Sequence, residues 1–191
     1  ELIGEEEKRE ALEVLESGHL YRYGREDDPR FQRKVWRLER EVAEMVGVPY
    51  AVAVNSGTSA LLTALAALGV GPGDEVIVPG YTFVASMSAV VYSRAVPVLA
   101  EVDQTLNLDP SDVEHCITPR TKAILAVHML GNPARLQELR DLADRKGLIL
   151  LEDCAQAFGA SYRGRMVGTI GEAGIYSFNV YKTITAGDGG M

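Results

Sequence analysis

From residue 50 onward, short apolar runs alternate with segments of helical period, and this alternation limits the fold more than any single motif does. The runs are "YAVAVN" (50–55), "EVIVP" (75–79), "AVPVLAEV" (95–102), "KAILAVHM" (122–129), "LILLED" (148–153) and "AGIYSF" (173–178). Helical patterns fill most of the gaps, as at 58–68, 82–94 and 133–146. Apolar runs without clean polar alternation suit strands buried on both faces, as in a parallel sheet covered by helices. The expected fold class is therefore α/β, a mainly parallel, doubly wound sheet with helices on both faces. Ahead of it, residues 5–17 read as a helix closed by Gly18. A second helix is expected with Pro29 at its start, Gly47 after its end, and Phe31, Val35, Leu38, Val42 and Met45 on one face. This divides the chain into an N-terminal helical segment, 1–48, and an α/β domain, 49–191.

Composition matters here for what it excludes. The net charge of −8, with no basic run, argues against nucleic acid as a partner. No apolar stretch approaches the length of a membrane span, so no membrane partner is expected. The start, "ELIGEEEKRE", lacks the basic-then-apolar layout of a signal peptide. Cys116 and Cys154 have neither metal-ligand nor redox spacing, so a cytoplasmic setting is expected.

In open parallel sheets, ligands bind beyond the carboxyl ends of the strands. The unusual segments of this chain fall there: "NSGTSA" after the first run, "GYTFVAS" after the second, "EDCAQA" at the end of the fifth, and Lys182 after the sixth. In "NSGTSALLTAL", Gly57 lets the backbone approach a ligand. The amides of Thr58 and Ser59 open a helix whose positive end favours an anion, a small phosphate being the best guess. The same residues also read as a Ser/Thr cap on a glycine turn. The acids of "ILLEDCAQA" could be metal ligands, a base or a solvated strand end. His128 alone offers a further ligand on that edge, so no metal is expected. A buried carboxylate paired with a cationic ring nitrogen fits better, since at ~4 Å and an effective dielectric near 20 such a pair is worth roughly 4 kcal/mol. Lys182 stands among Thr183, Thr185 and Gly187 at a strand's carboxyl end, where a desolvated amine can form imines. Phosphate, acid and amine together are the contacts that pyridoxal phosphate needs.

The chain resembles the DegT/StrS-type sugar aminotransferases, fold-type I pyridoxal-phosphate enzymes, from about Leu15 to Met191. "NSGTSAL", "PGDEVIVPGYTFVAS", "LNLDP", "ITPRTKAILAVHMLGNPA", "LEDCAQAFGA" and "YSFNVYKTITAGDGG" come in that family's order and spacing. The resemblance implies that Lys182 holds the cofactor as an aldimine and shuttles protons, with Asp153 on the pyridine nitrogen; these are the catalytic candidates. Gln156 would face the ring hydroxyl, Phe83 would stack on the ring, and Gly57, Thr58 and Ser177 would cradle the phosphate, with Ser59 added from the helix reading. Departures from the commonest family form are Asp188 for Glu, Cys154 for Ala and Gln156 for His. Cys154 is expected inside the cofactor pocket. Lys182 argues against the dehydratase branch, which carries His there.

The activity implied is ping-pong transfer of an amino group from glutamate or glutamine to a keto sugar, nucleotide-linked or related, in a cytoplasmic homodimer with shared active sites. Arg22, Tyr23 and Arg25 in "LYRYGRE" (20–26) are substrate candidates; a solvated loop is the plainer reading of them. Another fold-type I activity, such as a lyase, and a truncated, non-catalytic cofactor- or subunit-binding chain are the alternatives. By resemblance, an antiparallel strand follows the glycine loop and lies between the first and sixth strands. "GDGGM" stops as that strand begins, and the small C-terminal domain lies outside the sequence. An isolated chain of this kind is expected to be marginal or aggregation-prone.

Overall fold

The computed structural model describes residues 3–191, which fall into two compact units, Glu1–Ala53 and Val54–Met191. The first unit holds α1 (Glu5–Ser17) and α2 (Lys34–Val46). Gly18 and Gly47 close them in the left-handed conformation. The second helix starts later than its pattern suggests. Arg33 is its cap, with a positive φ of 56°, so Pro29 and Phe31 lie outside it. Its buried side chains are Val42, Ala43 and Val46. Of the expected face Val42 is buried and Val35 half-buried, whereas Leu38 and Met45 are exposed, Val46 and not Met45 facing inward at the helix end.

The second unit is a five-stranded parallel sheet in the order β2-β1-β3-β4-β7, made of β1 (Glu75–Pro79), β2 (Val96–Ala100), β3 (Thr121–Val127), β4 (Ile149–Asp153) and β7 (Ala173–Ile175). The helices are α3 (Gly57–Ala67), α4 (Val84–Tyr92), α5 (Pro110–Cys116) and α6 (Leu136–Lys146), and a small antiparallel hairpin, β5 (Ser161–Tyr162) and β6 (Arg165–Met166), stands apart. One core joins α3 and α4 to the sheet: Leu61, Leu65, Ala89 and Val90 pack with Val76, Val78, Leu125, Leu151 and Ile175. At roughly 25 cal/mol per Å² of apolar surface removed from water, contacts of this kind supply the main drive to fold.

The expectation of strands buried on both faces holds for β1, every residue of which is buried. It fails for β2, where Val96 and Leu99 are half exposed. The reason is position: β2 is the sheet edge, the place where Pro97 can be accommodated without breaking a ladder. The run 50–55 does not form a strand. Only Val54 pairs, antiparallel with Gly190, and Gly190 pairs on its other side with Ser177. Backbone bonds of 2.9 Å run both ways between Val54 and Gly190, and Tyr176 and Met191 exchange bonds of 2.9 and 3.1 Å. The segment at 190 thus lies between those at 54 and 177, antiparallel, as the resemblance implies.

Candidate functional site

A cavity of about 550 Å³ opens at the carboxyl ends of the strands, within the second unit. Its wall includes Gly57, Thr58, Phe83, Asp153, Gln156, Ser177 and Lys182, brought from separate segments by the parallel topology.

One wall is the start of α3. The Ser56 side chain caps this helix, its Oγ accepting from the Ser59 amide at 3.0 Å and donating to the Ser59 hydroxyl at 3.0 Å. Ser59 is thereby occupied in the cap and does not line the cavity. The amides of Gly57 and Thr58 stand in the first turn, where an α-helix has no internal acceptor for them, and the positive helix end adds to their pull on an anion. Ser177 lies directly against this turn: a Cβ built on Gly57 would be 2.8 Å from the Ser177 Cβ and 3.2 Å from its Oγ.

The floor is Asp153, the last residue of β4, which is 5% exposed. One carboxylate oxygen accepts from the Ala155 amide at 3.0 Å and the other from the Ser86 hydroxyl at 2.9 Å. Thr82, one helical turn before Ser86, is 3.1 Å from that hydroxyl. Burial pushes the carboxyl above its ordinary 3.8, and the Ala155 and Ser86 hydrogen bonds offset this only in part. A carboxylate left in that position favours a cation arriving from the cavity.

Its neighbour Glu152 faces the other way, as alternation along a strand demands. It is fully buried and accepts from the amides of Gly168, Ile170 and Gly171 at 2.8, 2.7 and 2.7 Å, and from His128 Nε2 at 3.1 Å. His128 Nδ1 in turn accepts from the Ala134 amide at 3.0 Å, which puts the imidazole proton on Nε2. Burial raises the Glu152 carboxyl, but His128 and the Gly171 and Gly168 amides outweigh it and hold it below 4.5. His128, Glu152 and Cys154 could offer three ligand atoms within 4.8 Å of one another. Both ring nitrogens of His128 and both carboxylate oxygens of Glu152 are already engaged in this network, which acts as a structural clamp. Cys154 is fully buried, does not line the cavity, and has its thiol pushed well up by burial. It lies behind the site and not inside it, contrary to expectation, since the strand's alternation turns it away from Asp153.

Gln156 reaches the cavity with its amide orientation fixed. Its Oε1 accepts from the Leu130 amide at 3.0 Å, leaving Nε2 to donate. Lys182 also lines the cavity, its Nζ 5.8 Å from the centre of the Phe83 ring. Thr82, Asn179 and Tyr181 also line the cavity. Thr82 lies just before α4 and Ser86 in its first turn, and the signal that could have found this pair is their hydroxyls four residues apart in "GYTFVAS". Arg22, Tyr23 and Arg25 belong to the first unit. There Arg22 pairs with Glu39 and donates to the Ala53 carbonyl at 2.9 Å, Arg25 pairs with Asp27 at 2.8 Å, and Tyr23 is exposed.

Comparison with known proteins extends this geometry. The family model described as the DegT/DnrJ/EryC1/StrS aminotransferase family matches residues 1–191. L-glutamine:2-deoxy-scyllo-inosose aminotransferase of Streptoalloteichus tenebrarius is 51% identical over 155 residues, 81% of this chain and 37% of that protein. GDP-perosamine synthase of Caulobacter vibrioides is 46% identical over 160 residues, 83% of this chain and 43% of that protein. The crystal structure of NtdA from Bacillus subtilis with bound cofactor PMP superposes with a TM-score of 0.86 and 33% identity, over 99% of this chain and 42% of that one. The chain thus spans less than half the length of each of these proteins.

Proposed function

Since the chain belongs to the DegT/DnrJ/EryC1/StrS aminotransferase family, we propose that it builds the cofactor half-site of a pyridoxal-phosphate enzyme that transfers an amino group to a keto sugar. The observation that carries this is the convergence, in one cavity, of an amine, a buried acid and a helix start with free amides. The residues fit the cofactor on physical grounds. Ser177 lies too close to the Gly57 turn for any Cβ there and both line the cavity, and Asp153 is a buried acid with neutral partners only among its hydrogen-bond donors.

When bound, pyridoxal phosphate supplies a carbonyl carbon that condenses with amines and an electron-withdrawing ring. The amides of Gly57 and Thr58 and the Ser177 hydroxyl hold the phosphate, with Ser59 acting through the cap. Asp153 keeps a proton on the ring nitrogen. Gln156 Nε2 donates to the ring oxygen, and Phe83 covers the ring face. Lys182 Nζ provides the amine that anchors the carbonyl carbon, and it then accepts and returns the mobile proton as general base and acid. The names of the relatives, an L-glutamine:2-deoxy-scyllo-inosose aminotransferase and a GDP-perosamine synthase, support glutamine as donor and a sugar or sugar-like ketone as acceptor, with glutamate as the other donor that family likeness implies.

The finer reading goes further. It includes a division at residue 48 from the change of hydropathy rhythm, a cytoplasmic location from the cysteine spacing, a substrate role for Arg22, Tyr23 and Arg25 from their cationic segment, and, from family likeness, a homodimer that shares its sites. The exposed apolar side chains of Phe83, Val84 and Tyr181 beside the cavity support a second copy there. Among the described residues no helix is long and apolar enough to cross a membrane.

The test is the visible spectrum of the protein with added pyridoxal phosphate, beside Lys182→Ala. A band that borohydride fixes covalently to the protein, and that the variant lacks, is the expected result. A folded protein whose band is indifferent to Lys182→Ala overturns the assignment.

A further inference from the structure

The segment "LNLDP" has no part in the site as described, yet its asparagine is among the most completely engaged side chains in the molecule. Asn107 is fully buried. Its Oδ1 accepts from the Met129 amide at 2.9 Å, and its Nδ2 donates to the Asn132 carbonyl and to Thr105 Oγ1, both at 3.2 Å. These contacts tie together both ends of the turn at 129–132, which follows β3 and meets the Gln156 side chain.

That turn is an unusual one. Leu130 sits in the left-handed region at φ 54°, ψ 26°, although it is not glycine and its side chain is 78% exposed, so its own packing does not hold it there. Such a conformation persists where the surroundings over-determine it, and it concentrates at functional sites. Here the surroundings are Asn107 at Met129 and Asn132, and His128, whose ring accepts from Ala134 just beyond the turn. The result is that the Leu130 amide points at Gln156 Oε1, 3.0 Å away. An amide side chain has one acceptor and one donor end. Occupying the acceptor end with a fixed N–H turns the donor end toward the cavity.

We propose that Asn107 is a positioning residue for Gln156. By bridging the ends of the 129–132 turn it holds Leu130 left-handed, and the Leu130 amide then sets which end of the Gln156 amide meets the cofactor's ring oxygen. This rests on the cofactor reading above, and the two can fail separately.

The experiment compares Asn107→Leu with Gln156→Leu in the protein, using two readouts. The first is amide hydrogen exchange without cofactor. Asn107→Leu is expected to speed exchange at both Met129 and Leu130, whereas Gln156→Leu speeds it at Leu130 alone. The second is the pH titration of the visible band after pyridoxal phosphate is added. Its midpoint in Asn107→Leu should move in the same direction as in Gln156→Leu, by at least half as much. Adding Leu130→Gly to Asn107→Leu should return most of that shift, because glycine takes a positive φ without support; a purely structural role for Asn107 would not be rescued in this way. Should Asn107→Leu not yield folded protein, Asn107→Ser, which is too short to reach both ends of the turn, takes its place with the same expectations. Leu130 exchange and a band midpoint unchanged from wild type overturn the proposal. A wild-type protein that develops no band removes the cofactor reading, while the exchange pattern still decides whether Asn107 sets the turn.

Discussion

Gly57 and Ser177 meet so closely that a methyl group on Gly57 would come within 2.8 Å of the Ser177 Cβ. That separation is below what carbon atoms tolerate, so Gly57→Ala forces either the helix start or Ser177 to move. Both are in the proposed phosphate cradle. The expected outcome is cofactor affinity weaker by about tenfold or more, equal to about 1.4 kcal/mol or more. Titration of the visible band with pyridoxal phosphate measures it, and an unchanged dissociation constant would show that the phosphate binds elsewhere.

Asp153 should act in opposite directions with and without cofactor. Burial raises its carboxyl above 3.8 in the folded protein. A raised carboxylate pKa gives a contribution to stability that is present below 3.8 and is lost as pH rises through the folded value. Asp153→Asn removes that loss, so at neutral pH the cofactor-free variant should melt no lower than wild type. With cofactor, the variant loses a charge pair of roughly 4 kcal/mol, which is about three pKa units on the ring nitrogen. The pH response of the band should then collapse. Melting curves at several pH values separate the two arms, and a variant that is less stable without cofactor but keeps the wild-type band with it would contradict the assignment.

Glu152 contributes to stability in the ordinary sense. Glu152→Ala strands the amides of Gly168, Ile170 and Gly171 and the His128 ring in a dry interior. With unpaired buried groups costing about 1–3 kcal/mol each, a loss of about 3 kcal/mol or more is expected in urea unfolding at neutral pH. Its carboxyl is held below 4.5 when folded, so the contribution is present above that value and disappears as pH falls through the folded pKa. Hydrogen exchange at Gly168, Ile170 and Gly171 should rise in acid before the rest of the sheet opens.

Gly190 permits another close approach. A Cβ there would lie 2.3 Å from the Ser56 carbonyl oxygen and 2.6 Å from the Gly57 amide nitrogen, both backbone atoms that cannot swing away. Gly190→Ala should cost about 1–3 kcal/mol as overpacking. For a chain of this size each kcal/mol corresponds to about 2–4 °C in melting temperature. An unaltered Tm would mean that the segment at 190 does not sit where the structure has it.

The parallel sheet was legible because β1, β3 and β4 carry unbroken apolar runs, and it was misread where that signal loses meaning. Residues 50–53 look like a strand by composition, but pairing belongs to Val54 alone, and hydropathy says nothing about partners. The helix at 110–116 carries a local start signal of its own, Asp109 as its cap and Pro110 at its first position. The candidate site was legible where chemistry is local to a motif: Lys182, Asp153, Gln156, Phe83, Ser177, Gly57 and Thr58 reach one cavity. Ser59 went to the cap and Cys154 to the interior, outcomes set by side-chain direction, which strand alternation could have supplied for Cys154. Asn107 was out of reach, because its meaning lies in a turn far along the chain.

The double pairing of Gly190 also sets an order of events during synthesis. Val54 leaves the ribosome early and Ser177 late, and the residue that joins them follows both. That pairing is therefore completed only after β1, β3 and β4 are able to associate. Until residue 190 arrives, the Ser56–Gly57 peptide lacks its contact with Gly190, and the proposed anion cradle is incomplete. A nascent chain of this kind is competent to recognise its ligand only after the glycine loop has passed the exit tunnel, so availability of the ligand cannot guide the earlier steps of folding.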